Sequence, residues 1–296
     1  MNLIKHDIKT NILISHTKYY MRSINLKNIK VSIITVTYNS EKYLSSTIES
    51  VLNQTYNNIE YIIIDGMSSD NTISIINRYE HLFNGRLKWL SEADSGIYEA
   101  MNKGISMATG EIIGIVNSDD WYEKDTVISI VETIGEHDMI HANMNLIDIH
   151  NNVDRIYSHR NTRFFKYLTT PYNHPTMFVK KEVYQKIGVF DEKFKTGADY
   201  DFMLRFNKSK YNAIHFDRII TNVRLVGVTT GANSVKDFSE FKQALVNNGV
   251  SNAKAAVYVY LRKVLVFISK ILRRHPKVLK IIRVFIPYQK KRTRNK

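Results

Sequence analysis

The 296-residue chain contains no cysteine. Disulfide frameworks, cysteine-ligated zinc, iron–sulfur clusters and thiol nucleophiles are therefore excluded, and nothing calls for an oxidising compartment. Proline is scarce, with four residues, and the twelve glycines form no Gly/Ser-rich linker. Both features fit a compact body. No run of about eighteen uncharged apolar residues occurs, so no ordinary membrane-spanning helix is expected. The opening MNLIKHDIKTNILISHTKYY lacks the apolar block and cleavage site of a secretory signal. A cytoplasmic location is the expectation. No Gly-x-Gly-x-x-Gly follows the first strand-like run, and no Gly-x4-Gly-Lys-Ser/Thr occurs. Both absences weigh against a dinucleotide oxidoreductase and a P-loop NTPase.

Acidic residues are missing from the end of the chain. Residues 251–296 carry fourteen of the 42 Lys and Arg and no Asp or Glu. Over 1–250 the remaining 28 basic residues balance 28 acidic ones. The body is formally neutral, and the net charge of +14 belongs to the tail. Such a tail has a partner of its own.

What is present is globular. Hydrophobic residues make up 44% and charged residues 24%, which rules out wholesale disorder. The length suits one large α/β domain with extensions. Residues 1–29 read as a lead-in. From 30 to 140, strand-like and helix-like segments alternate. KVSIITVT (30–37), IEYIIID (59–65), 87–90 and 111–116 read as strands. Residues 41–54, 70–83 and 97–108 read as helices, the first with Tyr43, Leu44, Ile48, Val51 and Leu52 on one side. This order predicts a doubly wound, mostly parallel sheet. Ligands of such sheets bind beyond the carboxyl ends of the strands. Residues 141–250 are less regular, with a strand at 175–180 and helices near 181–187 and 198–207.

The strand ends are polar. Thr37-Tyr38-Asn39-Ser40 follows the first, Asp65-Gly66-Met67-Ser68-Ser69-Asp70 the second, and Asn117-Ser118-Asp119-Asp120-Trp121 the fourth. An aromatic ring and a strand-end carboxylate can hold a nucleobase or ribose. An Asp pair can hold a divalent cation against a diphosphate, and oxygen-only ligands favour Mg²⁺ or Mn²⁺. Each motif alone has a plain structural reading as a turn or helix cap. Their joint placement is what points to a site. His174, before Pro175 and a strand, suits either a contact to acceptor or diphosphate or a hydrogen-bonded loop histidine. Trp121 suits a sugar pocket or packing.

The blocks VSIITVTYNS, IIIDGMSSDNT and NKGISMATGEIIGIVNSDD resemble glycosyltransferase family 2, of the GT-A fold. DSGIYEAMNKGI, HPTMFVKKEVYQKIGVFDEKF, GADYDFMLRF and GVTTGANS resemble bacterial enzymes of O-antigen, capsule and colanic-acid-type synthesis. The resemblance spans roughly 30–230. It implies a GT-A-like, Rossmann-like fold and an inverting transfer from a nucleotide-sugar, a UDP-sugar foremost. Thr37, Tyr38, Asn39, Asp65 and Asp119 match nucleotide-binding positions. Asp119 and Asp120 match the metal motif, with Asn117 in place of its usual first Asp, so either could carry Mn²⁺ or Mg²⁺. Asp94, Asn102 and Lys103 match a segment near the donor sugar and diphosphate, and Gly227–Thr230 matches a loop over the diphosphate. Asp199 matches the catalytic base. Independently, Asp199 and Asp201 lie about 200° apart on a helix. Asp201 can pair with Arg205 four residues on, leaving Asp199 for the site.

The resemblance divides the chain into a nucleotide-sugar half (30–140), an acceptor and base half (141–250) and a tail (251–296). On a helical wheel from Lys254, Arg262, Lys263, Lys270, Arg273 and Arg274 fall between about 80° and 200°. Apolar residues cover most of the rest. A basic amphipathic helix of this kind lies in a membrane interface, where each Lys or Arg adds about 1 kcal/mol near anionic lipid. The alternative packs its apolar face on the body or a second subunit. The resembling enzymes extend saccharides on a polyprenyl-diphosphate lipid, which implies a lipid-linked acceptor and a peripheral place on the inner face of the bacterial inner membrane. Two rivals are a sugar nucleotidyltransferase, which lacks its Gly-rich basic loop here, and a nucleic-acid-binding protein using the tail. The continuous apolar face of the tail favours lipid, so no nucleic acid is expected.

Overall fold

The computed structural model describes residues 29–157, 167–225, 238–273 and 289–290. Strands β1 (Val31–Thr37), β2 (Ile59–Asp65), β3 (Leu87–Ser91) and β4 (Ile112–Ile115) are linked by helices α1 (Leu44–Leu52), α2 (Thr72–Glu80) and α3 (Ile97–Met107). These four strands pair in parallel, in the order β3-β2-β1-β4. β1 and β2 are buried along their whole length, as strands covered on both faces must be. Their side chains alternate between two cores. Val31, Ile33, Tyr61 and Ile63 join the core under α1 and α2. Ile34, Val36, Ile62 and Ile64 join the core under α3. Gly104 lets α3 approach closely, since a Cβ there would sit 2.5 Å from Ile34 Cγ2.

The second half contains β5 (Trp121–Tyr122), α4 (Thr126–Ile134), β6 (Met139–Ile147), β7 (Val153–Tyr157), β8 (Phe178–Lys180), α5 (Lys181–Ile187), α6 (Ala198–Lys208), β9 (Ala213–Arg224), α7 (Phe238–Asn247) and α8 (Asn252–Arg273). Here the sheet is not mostly parallel. β8 lies antiparallel to both β4 and β6, β7 antiparallel to β6, and β5 antiparallel to β9. Only β6 and β9 run parallel. Antiparallel neighbours need no crossover helix. β6 turns directly into β7 through Asp148, whose carboxylate accepts the His150 and Asn152 N–H groups, and Asn151 takes the left-handed conformation.

The tail helix also departs from expectation. α8 sets Ala255 in the core and lays Arg262 over the Phe241 ring. It leaves Val257, Tyr260, Leu261 and Phe267 exposed. The side bearing Arg262 therefore faces the body, and much of the apolar side faces outward. Among the described residues no helix is long and apolar enough to cross a membrane. The lead-in over 1–28, the loop at 227–230 and the tail beyond 273 lie outside the described residues, except 289–290, which pair with β7.

One buried carboxylate braces the edge of the sheet away from the polar strand ends. Glu60 accepts Ser32 Oγ at 2.6 Å, the Thr109 N–H and hydroxyl, and the ammonium of Lys30 at 3.3 Å. Burial alone would raise its pKa. The hydrogen bonds outweigh burial and hold it down to about 2. A depressed carboxyl stabilises the fold above its unfolded pKa and loses that contribution as pH falls through its folded one. Glu60→Gln is expected to lower stability at pH 7 by about 1–3 kcal/mol. In denaturant titrations the gap to the native chain should close between about pH 4.5 and pH 2. An unchanged gap at low pH would remove the charge from this account.

Candidate active site

The carboxyl ends of β1 and β2 meet around Asp65, which is fully buried. Its carboxylate accepts Ser68 N at 3.0 Å, Ser68 Oγ at 2.5 Å and Ser91 Oγ at 2.7 Å. Asn39 takes a left-handed backbone and faces the same loop. Its N–H donates to Ser68 Oγ at 2.8 Å, and its Oδ1 accepts Ser69 N at 2.9 Å. Thr37 is buried and accepts Gly66 N on its carbonyl at 2.9 Å. Tyr38 is 66% exposed, an open ring at the edge of a polar cradle. A Cβ on Gly66 would lie 2.7 Å from Asp94 Oδ2 and 3.5 Å from the Tyr38 ring. Gly66 thus floors a notch with Tyr38 on one side and Asp94 on the other. Burial raises the Asp94 pKa, against the Gly96 N–H and the charge of Lys103. Thr37, Tyr38, Asn39, Asp65 and Asp94 are therefore assembled. The ring, the notch and the carboxylate beside it can hold a planar base and a sugar hydroxyl.

Asp119 and Asp120 follow β4 and are not equivalent. Asp120 is buried. Its Oδ1 accepts the Arg224 N–H at 3.0 Å, its Oδ2 accepts Asn117 Nδ2 at 3.3 Å, and its carbonyl accepts Thr47 Oγ1 at 2.6 Å. It pins β4 to the end of β9. Asp119 is half-buried. Burial raises both carboxyls, and the charge of Asp119 raises Asp120 further. The Arg224 guanidinium opposes the shift at both. It stacks between Trp121 and Tyr43, 4.4 and 4.5 Å from their ring centroids, and donates to Asn151 Oδ1 and Ser46 Oγ. Trp121 therefore packs on a cation.

Among the described residues no three His, Cys, Asp or Glu side chains converge as a metal site. The donors present suit a hard divalent cation shared with a ligand that brings its own oxygens. Asp119 supplies the open carboxylate. Two residues before it, Asn117 Oδ1 is buried and has no hydrogen-bond partner among the described residues.

Asp199 opens α6. Its Oδ1 accepts Tyr200 N at 2.8 Å and the Tyr98 hydroxyl at 3.4 Å. Oδ2 has no hydrogen bond among the described residues. The neighbouring Asp201 makes the expected pair, accepting Arg205 Nε at 2.8 Å. Asn248 Nδ2 donates to its other oxygen. Arg205 also donates to the carbonyls of Ile187, Gly188 and Val189. Asp201 is thus structural, and Asp199 is the open carboxylate of the two. His174 lies beside it, half-buried against Phe190.

Asn102 and Lys103 are occupied with other partners. Asn102 brackets Phe190, donating to its carbonyl at 2.9 Å and accepting its N–H at 3.0 Å. Lys103 binds Glu92, Glu99 and the Ala93 carbonyl. Lys103 thus holds the segment that carries Asp94, whereas Asn102 fastens α3 to the loop at Phe190. Tyr98 and Arg224 were missed in the sequence. Tyr98 sits inside DSGIYEAMNKGI, and Arg224 is a lone cation closing an otherwise uncharged run, ITNVRLV.

The model of the family described as glycosyl transferase family 2 matches residues 32–194, more than half of the chain. A PGL/p-HBAD biosynthesis glycosyltransferase of Mycobacterium tuberculosis is 29% identical over 184 residues, covering 59% of this chain and 68% of the relative. Among solved structures, S. aureus TarS 1–349 in complex with UDP aligns with a TM-score of 0.58 at 21% identity, covering 79% of this chain and 70% of that one. The mannosyltransferase PcManGT from Pyrobaculum calidifontis, in complex with GDP-Man and Mn²⁺, aligns with a TM-score of 0.59 at 15% identity, covering 89% and 87%. These structures share the GT-A architecture of this chain, a curled central sheet in an α/β fold.

The nearness of His174 to Asp199 is measurable. Burial lowers the His174 pKa, and the charge of Asp199 works against that fall. Asp199→Asn removes the opposing charge, so His174 should titrate at a still lower pH. An NMR titration of the imidazole resonances reads this directly. An unmoved or raised value would place Asp199 away from His174.

Proposed function

This chain belongs to glycosyl transferase family 2, and from that premise we propose that it moves a sugar, with inversion, from a nucleoside-diphosphate sugar to a hydroxyl of a lipid-linked saccharide. That it is a glycosyltransferase follows from the family. The observation that supports the finer reading is one short segment. Ser91 bonds the Asp65 carboxylate, Asp94 borders the Gly66 notch beside Tyr38, and Tyr98 reaches Asp199. The nucleotide end and the open carboxylate are thus tied together through residues 91–98.

In this reading the nucleoside of the donor, a UDP-sugar foremost, lies on Tyr38 with Asp94 facing its ribose, and Asp65 serves nucleotide binding from beneath by fixing the Ser68 and Ser91 loops. Thr37 and Asn39 shape that cradle. Asp119 would hold Mn²⁺ or Mg²⁺ together with the diphosphate, and Asp120 acts through the Arg224 backbone to fix the loop. The PcManGT complex with Mn²⁺ supports a cation here. When bound, the cation offsets the negative charge of the departing diphosphate. Asp199 uses its free Oδ2 to take the acceptor proton as the hydroxyl attacks the anomeric carbon. The Tyr98 hydroxyl donates to Oδ1 and so orients the carboxylate without neutralising it. His174, held toward its neutral form by burial, can accept or donate a hydrogen bond to the acceptor. Lys103 holds the 91–98 segment in place, and Asn102 fastens α3 to the loop at Phe190. Residues 30–140 then form the donor half and 141–250 the acceptor half.

The tail is proposed to rest on an anionic membrane from the cytoplasmic side. Val257, Tyr260, Leu261 and Phe267 form an outward apolar strip on α8, with Lys254 and Lys263 exposed along it. This suits interfacial rather than spanning attachment.

Asp119→Ala should abolish Mn²⁺-dependent binding of a UDP-sugar in calorimetry. Asp120→Asn should mainly lower the melting temperature. The reverse pattern would exchange their roles. Because burial raises the Asp119 carboxyl, it must lose its proton to take a cation, so Mn²⁺ affinity should weaken as pH falls. Asp199→Asn should bind donor within about twofold of the native chain while transfer falls about 10²–10⁴-fold. Full transfer by this variant would sink the assignment of the base. Phosphatidylglycerol vesicles should sediment the full chain, and Tyr260→Ser with Phe267→Ser should weaken that about tenfold. Unchanged sedimentation would remove the strip from the contact.

A further inference from the structure

A cleft of about 520 Å³ lies where the start of α4 meets the sheet of the second half. Its volume falls within the range of small-molecule sites, about 300–1,000 Å³. Ile156 of β7, Asn145 of β6, and Phe216 and Ile219 of β9 line the sheet side, and residues 123–126 with Ser129 line the other. No step of the proposed transfer uses this space. Phe216 and Ile220 pack on the core under α1 and α2, whereas Ala198 and Tyr200, on either side of Asp199, belong to the core under α3. The cleft therefore opens on the other face of the sheet from the proposed base.

Four charged side chains border the cleft, and none is paired with another. Among the described residues, Glu123 and Asp125 close no ion pair with Lys124 or Arg218, although all four line one space. Glu123 is fixed by a relay. Asn145 donates to Asn222, and Asn222 donates to Glu123 Oε1 at 2.8 Å. Its Oε2 has no hydrogen bond among the described residues. Asp125 accepts Thr55 Oγ1 on Oδ1 at 3.0 Å and makes no side-chain cap to α4, so its Oδ2 is open too. Arg218 stands over the Phe216 ring, 5.7 Å from its centroid. Its N–H groups meet no acceptor among the described residues.

The charges cancel, two against two, and that decides the class of ligand. An anion would meet both carboxylates, and a cation would meet the ammonium and the guanidinium. A purely apolar ligand would strip water from the open carboxylate oxygens and give nothing back. A neutral ligand with many hydroxyls can donate to Glu123 and Asp125, accept from Lys124 and Arg218, and lay its C–H face on Phe216 and Ile156. We propose that this cleft binds a neutral saccharide, apart from the transfer centre. On the reading that the chain extends a saccharide, the site keeps the growing product at the enzyme between transfers, since a second contact raises its effective concentration.

The test is a ligand-observed NMR titration of the full chain. The probes are three neutral trisaccharides, maltotriose, cellotriose and N-acetylated chitotriose, beside the anionic trigalacturonate. At least one neutral trisaccharide should bind, and more tightly than trigalacturonate. Its affinity should be the same with or without UDP and Mn²⁺, and the same in Asp199→Asn. Arg218→Ala, at an exposed position, should weaken it about tenfold, the yield of one charge-assisted hydrogen bond. Phe216→Leu keeps apolar bulk, removes the ring and should weaken it as well. Glu123→Gln keeps the bond from Asn222, tips the balance by one positive charge and should tighten trigalacturonate. UDP binding with Mn²⁺ should stay unchanged in all three variants. No binding of any neutral trisaccharide, tighter binding of trigalacturonate to the native chain, or an affinity that survives both Arg218→Ala and Phe216→Leu overturns the proposal. Displacement of the trisaccharide by UDP overturns it too, by moving the saccharide to the transfer centre. The probes bind without turnover, so a failed titration leaves the transfer reading standing, and a failed transfer assay leaves the titration standing.

Discussion

A carboxylate with no exposed surface must have its oxygens filled, and Asp65 meets that demand by gathering three chain segments. The turn after β2 supplies the Ser68 N–H and hydroxyl, and the end of β3 supplies the Ser91 hydroxyl. The Asp65 carbonyl accepts Glu92 N, and the next amide, Gly66 N, reaches back to Thr37 at the end of β1. Buried charge is tolerated only when paired or fully hydrogen-bonded, so these loops have little freedom to drift. The notch at Gly66, the Tyr38 ring above it and the path of residues 91–98 toward Asp199 all follow from that arrangement.

The second half of the molecule is held to the first by a similar device. Asp120 accepts the Arg224 N–H, and the Arg224 side chain packs back between Trp121 and Tyr43. The backbone of one residue and its side chain thus serve the same joint. This leaves Asp119 as the less encumbered carboxylate of the pair. The division of labour resembles that of Asp199 and Asp201. In each pair one carboxylate is consumed by the fold, and its neighbour stays open.

The first half was legible because its chemistry is uniform. β1 and β2 are covered on both faces, so they read as unbroken apolar runs, and their ends matched within a residue or two. The Asp201–Arg205 pair followed from helical spacing alone. β6 and β9 were not legible for the opposite reason. MIHANMNLI places His141, Asn143 and Asn145 at every second position, and AIHFDRIITNVR answers with His215, Asp217 and Asn222. These polar residues bond across the strand pair, Asn143 to Asp217 and His215 at a register shift, and Asn145 to its register partner Asn222. Buried polar pairing of this kind imitates loop composition. The tail shows a different limit. Its wheel separates basic from apolar residues, but a wheel does not say which side meets the body, and Arg262 went inward.

The joint between Asp120 and Arg224 spans 104 residues of sequence. On a ribosome the parallel strands β1 to β4 emerge first, together with the helices that cover them. Asp120 then waits for its main-chain donor until β9 has left the exit tunnel. Throughout that interval a carboxylate suited to burial stays wet, and the loop bearing Asp119 has nothing to close against. The nascent chain can assemble the turn around Asp65 early, yet the loop bearing Asp119 matures only near the end of translation. Its order of construction thus keeps a half-made chain from closing the two strand-end loops together.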